Sequence, residues 1–438
     1  MSLKKDNLNF HTTRRFAPLF GTQFLGAFND NVFKTALFVM ISFYGLGQND
    51  FLPPSQMLNL GAMLFILPYF LFSALSGQLS NKFDKAVLAR WIKLLEIIIM
   101  AVAAYGFYIQ SAPLLLICLF CMGTQSTLFG PLKYAILPDY LNDKELIMGN
   151  SLIESGTFIA ILLGQILGTA VAGVPPYIVG GLVLLVAIGG TMTSLFMPSV
   201  AAKMPDTKIE WNIIKGTNSL IREAVADRPV FTSIIGISWF WFVGSVYTTQ
   251  LPTFTQIHLG GNDNVFNLML ALFSIGIAIG SVLCAKLSHE RLILGLVTIG
   301  TLGLTVCGLL LVWLTHGQRF TELNGILWFL SQAQAYPIML VMSAIGFFGG
   351  FFSVPLYTWL QTASSETFRA HAVAANNIIN GVFMVSAAIL SAVLLMLFNS
   401  ITLLYLIVAV GNIPLIVYLI KREPKFIGDL TALLKISK

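Results

Sequence analysis

Charge is what this chain has least of. Asp, Glu, Lys and Arg make up 10% of its 438 residues and hydrophobic residues 56%, with 34 Phe, whereas a soluble domain carries roughly 25% charged residues. Too little polar surface is left to face water, which excludes a soluble globular domain and points to a bilayer. Cysteine is scarce too: Cys118, Cys121, Cys284 and Cys307 all lie in apolar runs. No disulfide framework can be built from them. The C-x-x-C of LLLICLFCMG has no nearby His, so the cysteines read as small buried hydrophobes rather than redox or zinc ligands. No G-x-x-x-x-G-K-[ST] occurs, so built-in ATP hydrolysis is not the energy source. No His, Cys and carboxylate cluster suggests a metal and no nucleophile–base cluster suggests an enzyme; no cofactor is expected.

What the chain does have is long apolar runs. At about 20 residues per span, 438 residues leave room for roughly twelve helices with short loops. Runs and their Pro, Gly and charged punctuation predict helices at about 16–44, 57–80, 86–109, 112–137, 146–173 and 176–198, then at about 230–257, 264–287, 290–315, 337–361, 372–397 and 400–420. The first run is too long for a signal-peptide core and lacks a small-residue cleavage pattern, so it is expected to be a retained first helix. The fold class expected is all-α integral membrane, with two six-helix bundles at 1–198 and 230–420. A linker at 199–229 joins them, and a basic tail follows at 421–438. In the linker Ile209, Ile213, Ile214, Leu220, Ile221 and Val225 recur at near-helical spacing, predicting an amphipathic helix along the membrane surface.

Lysine and arginine placement sets the orientation. Alternate loops collect Lys4, Lys5, Arg14, Arg15, Lys82, Lys85, Lys144, Lys203, Lys208, Lys215, Arg222, Arg228, Lys286, Arg291, Arg369 and the tail on one side, leaving Arg319 alone on the other. Both termini and the linker are therefore expected in the cytoplasm. The net charge of +6 sits on the side facing anionic lipid heads and needs no nucleic acid to explain it. The halves also look duplicated. Pro131, Leu132, Asn150 and Ile153 align with Pro355, Leu356, Asn376 and Ile379, allowing two extra residues in the second loop.

Two six-helix halves and a basic loop after the second helix resemble the major facilitator superfamily. Its loop signature, G-x-x-x-D-R-x-G-R-R, survives in part as Gly77, Asn81, Lys82 and Lys85, a candidate gating loop. QFLGAFNDNVFK, FGPLKYAILP and GNSLIESGTFIAILLG resemble the lysophospholipid transporter branch, including the transporter half of fusions with an acyl-acyl carrier protein synthetase/acyltransferase. The resemblance implies a multi-pass protein of the bacterial inner membrane, with lysophospholipid as substrate. It would flip lysophosphatidylethanolamine and its kin from outer to inner leaflet, where a separate acyltransferase would reacylate them. No acyltransferase domain is expected in this chain; the lone H-x-x-x-x-D from His258 to Asp263 reads as an ordinary turn.

Charges inside the spans are few: Asp30, Lys34, Lys93, Glu96, Lys133 and Glu154, all in the first half. An ionised side chain facing lipid is costly, so each must look into protein or a watery path. Asp30 and Lys34, four apart, share a helix face and are near enough to pair. Two polar stations are expected, Asp30, Asn31 and Lys34 above and Lys133, Asn150 and Glu154 below, where carboxylates would meet an ethanolamine ammonium and lysines the phosphate. Each pair has a purely structural alternative: Asp30–Lys34 as an intrahelical bridge, and Lys133–Glu154 as a latch between helices. Lys93 and Glu96, on a helix that is peripheral in this fold, are expected to be structural or to snorkel. In the second half Trp241, Phe242, Tyr247 and Tyr357 are candidates for the acyl-chain side, with Trp239 beside them and Asn376, Asn377 and Asn380 as polar partners. A rival reading is a proton-coupled transporter of a small amphiphilic solute or drug.

Overall fold

The computed structural model describes residues 9–47 and 53–436, and Lys4 and Lys5 of the charge argument lie outside them. The described chain is helical throughout: α1 (Ala17–Phe43), α2 (Pro54–Lys82), α3 (Lys85–Tyr108), α4 (Ala112–Tyr140), α5 (Asp143–Val171), α6 (Pro176–Leu195), α7 (Ile213–Ala226), α8 (Arg228–Leu259), α9 (Asp263–Leu287), α10 (Gly295–Leu314), α11 (Ile326–Ser331), α12 (Ala335–Ala363), α13 (Arg369–Phe398), α14 (Ile401–Arg422) and α15 (Lys425–Ile436). Eleven of these are long and apolar enough to cross a membrane. α3 equals them in length, at 24 residues, but carries Lys85, Arg90, Lys93 and Glu96. α7 falls inside the stretch where the isoleucine spacing placed a surface helix.

Helix starts follow local chemistry. Asp84 caps α3 by accepting from Ala86 N and Val87 N, and Asn142 with Glu145 forms a capping box on α5. Side chains of Ser111, Asn262 and Ser400 cap α4, α9 and α14 in the same way. These caps satisfy amide groups that a helix end leaves open.

The described residues group into two compact units. The first takes the chain up to Gly149, with Ile159–Asp227 and Gln361–Ile378. The second takes Asn150–Phe158, Arg228–Leu360 and the chain from Ile379 onward. Within the first, α2 lies along α4, and α6 along both α3 and α1. Glycine sets the closest approach of α5 to α1: a Cβ on Gly164 would stand 2.7 Å from Phe28 O, and one on Gly168 2.8 Å from Val32 O. In the second unit, Gly276 and Gly280 on α9 face the carbonyls of Ser343 and Phe347 on α12 closely enough to leave no room for a Cβ. Both small-xxx-small patterns therefore serve backbone-to-backbone packing.

The stretch after α14 folds as α15 against α10. Leu294 N donates to Asp429 Oδ2 at 2.8 Å, Thr298 Oγ1 donates to Phe426 O at 2.8 Å, and the buried Phe426 ring meets Trp359 edge-on. His258 ends α8 with Nδ1 2.8 Å from Gln318 O, and Asp263 opens α9, so the H-x-x-x-x-D is a turn between helices.

Candidate functional site

α1 is the axis of the first unit's polar interior. Asp30 accepts from Ser126 Oγ of α4 at 2.5 Å, while its Oδ1 has no hydrogen-bond partner among the described residues. Lys34 does not pair with Asp30: its Nζ lies 4.9 Å from the centre of the Phe65 ring on α2. The structural alternative, an intrahelical bridge, is not made as a direct ion pair, although the two charges still act on each other. Helical spacing brings the two stems together, but each head group finds its partner on a neighbouring helix. Asn31 sits about 100° round the helix from Asp30. It donates to Ala27 O at 2.8 Å and packs on Gly164, away from the Asp30 face.

The deepest charges are those of α3. Lys93 is 1% exposed and Glu96 0%, and they form an ion pair. Glu96 also accepts from Asn29 Nδ2 of α1 at 2.9 Å and from Gln125 Nε2 of α4 at 3.0 Å. Glycines make room for the ammonium: a Cβ on Gly190 of α6 would stand 2.9 Å from Lys93 Nζ, and one on Gly26 of α1 3.3 Å. Snorkelling is therefore ruled out for this pair. α3 is nonetheless one-sided, for Trp91, Ile98 and Tyr105 on its other face are exposed. A burial this complete is sustained by donors that fill the carboxylate and by an opposite charge.

Gln125 and Ser126 were not singled out from the sequence. They join the two carboxylates, since Ser126 Oγ lies 2.5 Å from Asp30 Oδ2 and 3.3 Å from Gln125 Oε1. The signal available was the polar run Thr124–Thr127 in the middle of an otherwise apolar helix.

The lower station divides between the units. Lys133, in the first, holds its Nζ 5.0 Å from the centre of the Tyr134 ring. Asn150 and Glu154 belong to the second, where Asn150 Nδ2 donates to Thr358 Oγ1 at 3.2 Å and the buried Glu154 accepts from Ser353 Oγ at 2.5 Å. Close by in that unit, Trp241 Nε1 donates to Tyr357 OH at 2.9 Å, and Phe158 stacks on Trp241 with ring centres 6.1 Å apart. Phe242 and Tyr247 are directed elsewhere: Phe242 stacks on Trp239, whose Nε1 donates to Asn412, and Tyr247 packs on Tyr405. Of the four aromatic candidates, Trp241 and Tyr357 stand together; Tyr247 lies against α14, and Phe242 packs between Trp239 and Phe383 of α13.

The loop residues all have partners inside the first unit. Asn81 Nδ2 donates to Thr367 O at 2.7 Å, Lys82 Nζ to Thr207 O at 2.9 Å, and Lys85 Nζ to Asp139 Oδ2 at 2.9 Å. Gly77 packs on Ala370 and Ala374. Lys203 bridges Asp139 at 3.3 Å and Glu366 at 3.0 Å. Partial burial works against its ammonium, but the two carboxylates outweigh that and raise its pKa. Arg15 forks onto Glu145 and also reaches Tyr140 O. Residues 361–378 are thus stitched to the charged ends of α2 and α4.

Bundles of long apolar helices enclosing a few buried charges define a multi-pass membrane protein, and comparison with known proteins makes it a transporter. The pattern of the Major Facilitator Superfamily matches residues 19–330, and the chain belongs to that family. It is 28% identical over 363 residues to the lysophospholipid transporter LplT of Enterobacter sp. (strain 638), covering 81% of this chain and 82% of that one. To LplT of Escherichia fergusonii it is 27% identical over the same length and coverage. Among solved structures, the human organic anion transporter MFSD10 superposes with a TM-score of 0.69 at 16% identity, covering 92% of this chain and 99% of that one. These relatives and neighbours are transporters rather than enzymes.

Proposed function

We propose that this protein is a lysophospholipid flippase of the bacterial inner membrane, with twelve spans and cytoplasmic termini. It moves single-tailed phospholipids such as lysophosphatidylethanolamine from the outer to the inner leaflet by alternating access or a lateral opening, and a separate acyltransferase then restores the second chain. The observation that carries this reading is Asp30, a carboxylate within the apolar first span with one oxygen held by Ser126 and the other unclaimed. An ammonium headgroup supplies the missing donor and opposite charge that such a carboxylate needs away from water. Lys34, whose ammonium rests on the Phe65 ring in a cation–π contact worth about 0.5–2 kcal/mol and is attracted by Asp30, can exchange Phe65 for the lipid phosphate. The likeness to the LplT proteins supports the substrate class.

The test is flux of labelled lysophospholipids in proteoliposomes. Asp30→Asn should abolish flux while the protein stays folded, and wild-type flux in that variant would refute the role.

One observation favours proton coupling as a second reading. The Ser126 hydroxyl has a single proton between two acceptors, Asp30 Oδ2 and Gln125 Oε1. If Asp30 were itself protonated, it would donate to Ser126, which would then turn its proton to Gln125. Collapse of flux with a protonophore favours this reading, and indifference favours facilitated flipping.

A further inference from the structure

The helix α7 presents three faces. Gly216, Leu220 and Ala224 are buried against the first unit. A second stripe carries Trp211, at the helix entry, with Ile214, Ile221 and Val225. Trp211 is 73% exposed and Ile214 76%. Beside it lie Lys215 and Arg222, which with Asn212, Asn218 and Ser219 line an open cleft that has Ile214 on its rim. An apolar ridge next to a cationic, hydroxyl- and amide-lined cleft is unsuited to bulk water.

The level at which this helix sits is set by its tether. Glu210 N donates to Gln78 Oε1 at 2.7 Å, and Lys82 Nζ donates to Thr207 O at 2.9 Å, so α7 hangs from the end of α2. α2 is itself a span with an exposed apolar side, including Met63 and Leu67. A ridge fixed at the mouth of a lipid-facing span lies at headgroup depth, where Trp is favoured and where cations meet phosphates. Within this surface the one carboxylate paired to a cleft cation is Glu210, 2.7 Å from Lys215, in an ion pair open to solvent; Glu223 lies on the far edge towards His371.

We propose that α7 is a docking surface for anionic phospholipid of the cytoplasmic leaflet. Trp211 and Ile214 enter the acyl boundary, and the cleft between Lys215 and Arg222 takes a lipid phosphate. The surface is separate from the Asp30 pathway, so it stands whether or not the flippase reading does.

The experiment is hydrogen exchange of the amides of 211–226 in the full-length protein, in nanodiscs of purely zwitterionic lipid and in nanodiscs rich in phosphatidylglycerol. Two cations near a charged surface shift a docking equilibrium by on the order of tenfold or more. Exchange should therefore slow about that much in the anionic discs, and the difference should vanish in Lys215→Glu/Arg222→Glu. Both side chains lie on the exposed face, so the fold is expected to tolerate this change. Ile214→Ser should speed exchange in both disc types. Equal exchange in the two lipids, or a difference that survives the double substitution, overturns the proposal.

Discussion

Glu96→Ala tests how the first unit is held together. Glu96 is wholly buried and is the counter-charge of Lys93, which is buried too; it also fills the amide donors of Asn29 and Gln125. Removing one partner of a buried pair costs about 3–5 kcal/mol, because the remaining charge has no water to turn to. The two abandoned amides add on the order of 0.6 kcal/mol each, the average for such bonds within membranes. Against a native stability of roughly 5–15 kcal/mol, the charge alone removes a large share. Glu96→Ala should therefore yield little monodisperse protein and a sharply lowered Tm in detergent. Lys93→Met/Glu96→Gln removes both charges, keeps an acceptor for Gln125 and retains the volume. Replacing both members of a buried pair is often neutral or better, so this double variant should regain most of the lost Tm and a substantial flux. The assay is thermal unfolding of purified protein alongside lysolipid flux. A stable Glu96→Ala, or a double variant as unstable as the single, would refute the reasoning.

Other outcomes follow from the same geometry. Ser126→Ala removes a hydrogen bond to a charged group, about 1.5–3 kcal/mol of stability, and should lower Tm and cut lysolipid flux by tenfold or more; unchanged flux would separate Ser126 from the pathway. Gly190→Ala places a methyl 2.9 Å from Lys93 Nζ and should lower Tm, with an overpacking cost of about 1–3 kcal/mol, whereas Gly181→Ala, with nothing within 4 Å, should leave Tm unchanged. Lys203→Ala should cost about 1 kcal/mol or less, since Lys203 is partly solvated, Glu366 is largely exposed and Asp139 keeps Lys85; Lys85→Ala, which removes a buried ammonium and leaves Asp139 only the longer contact to Lys203, should cost more, as thermal unfolding would read.

Much of the fold was legible because lipid imposes one rule on every span: apolar for about 20 residues, with breaks marked by charge, Pro and Gly. Hence α4, expected from 112, begins at Ala112, and α9, expected at 264–287, runs Asp263–Leu287. Side-chain partners were less legible, since periodicity gives a face but not what stands opposite. Lys93 and Glu96 share a stripe with Ala89, Ala103 and Gly106, small residues that mark a packed face and could have turned the reading inward. The Asp30–Lys34 spacing permitted a bridge, but nothing within α1 announced Ser126 and Phe65 as better partners. Trp241 and Phe242 are adjacent in sequence and so necessarily point about 100° apart, which is why one meets Tyr357 and the other Trp239.

The Lys93–Glu96 pair also constrains biogenesis. In the proposed twelve-span topology α3 is a span, and each ionised residue deep within it would oppose partitioning into the bilayer by about 2.5–3.5 kcal/mol, so that α3 leaving the translocon by itself would be poorly retained. Its acid is quenched by amides from the first and fourth helices. Integration of the third segment is thereby tied to an earlier helix and to one not yet synthesised, and these helices must settle as a group rather than one at a time.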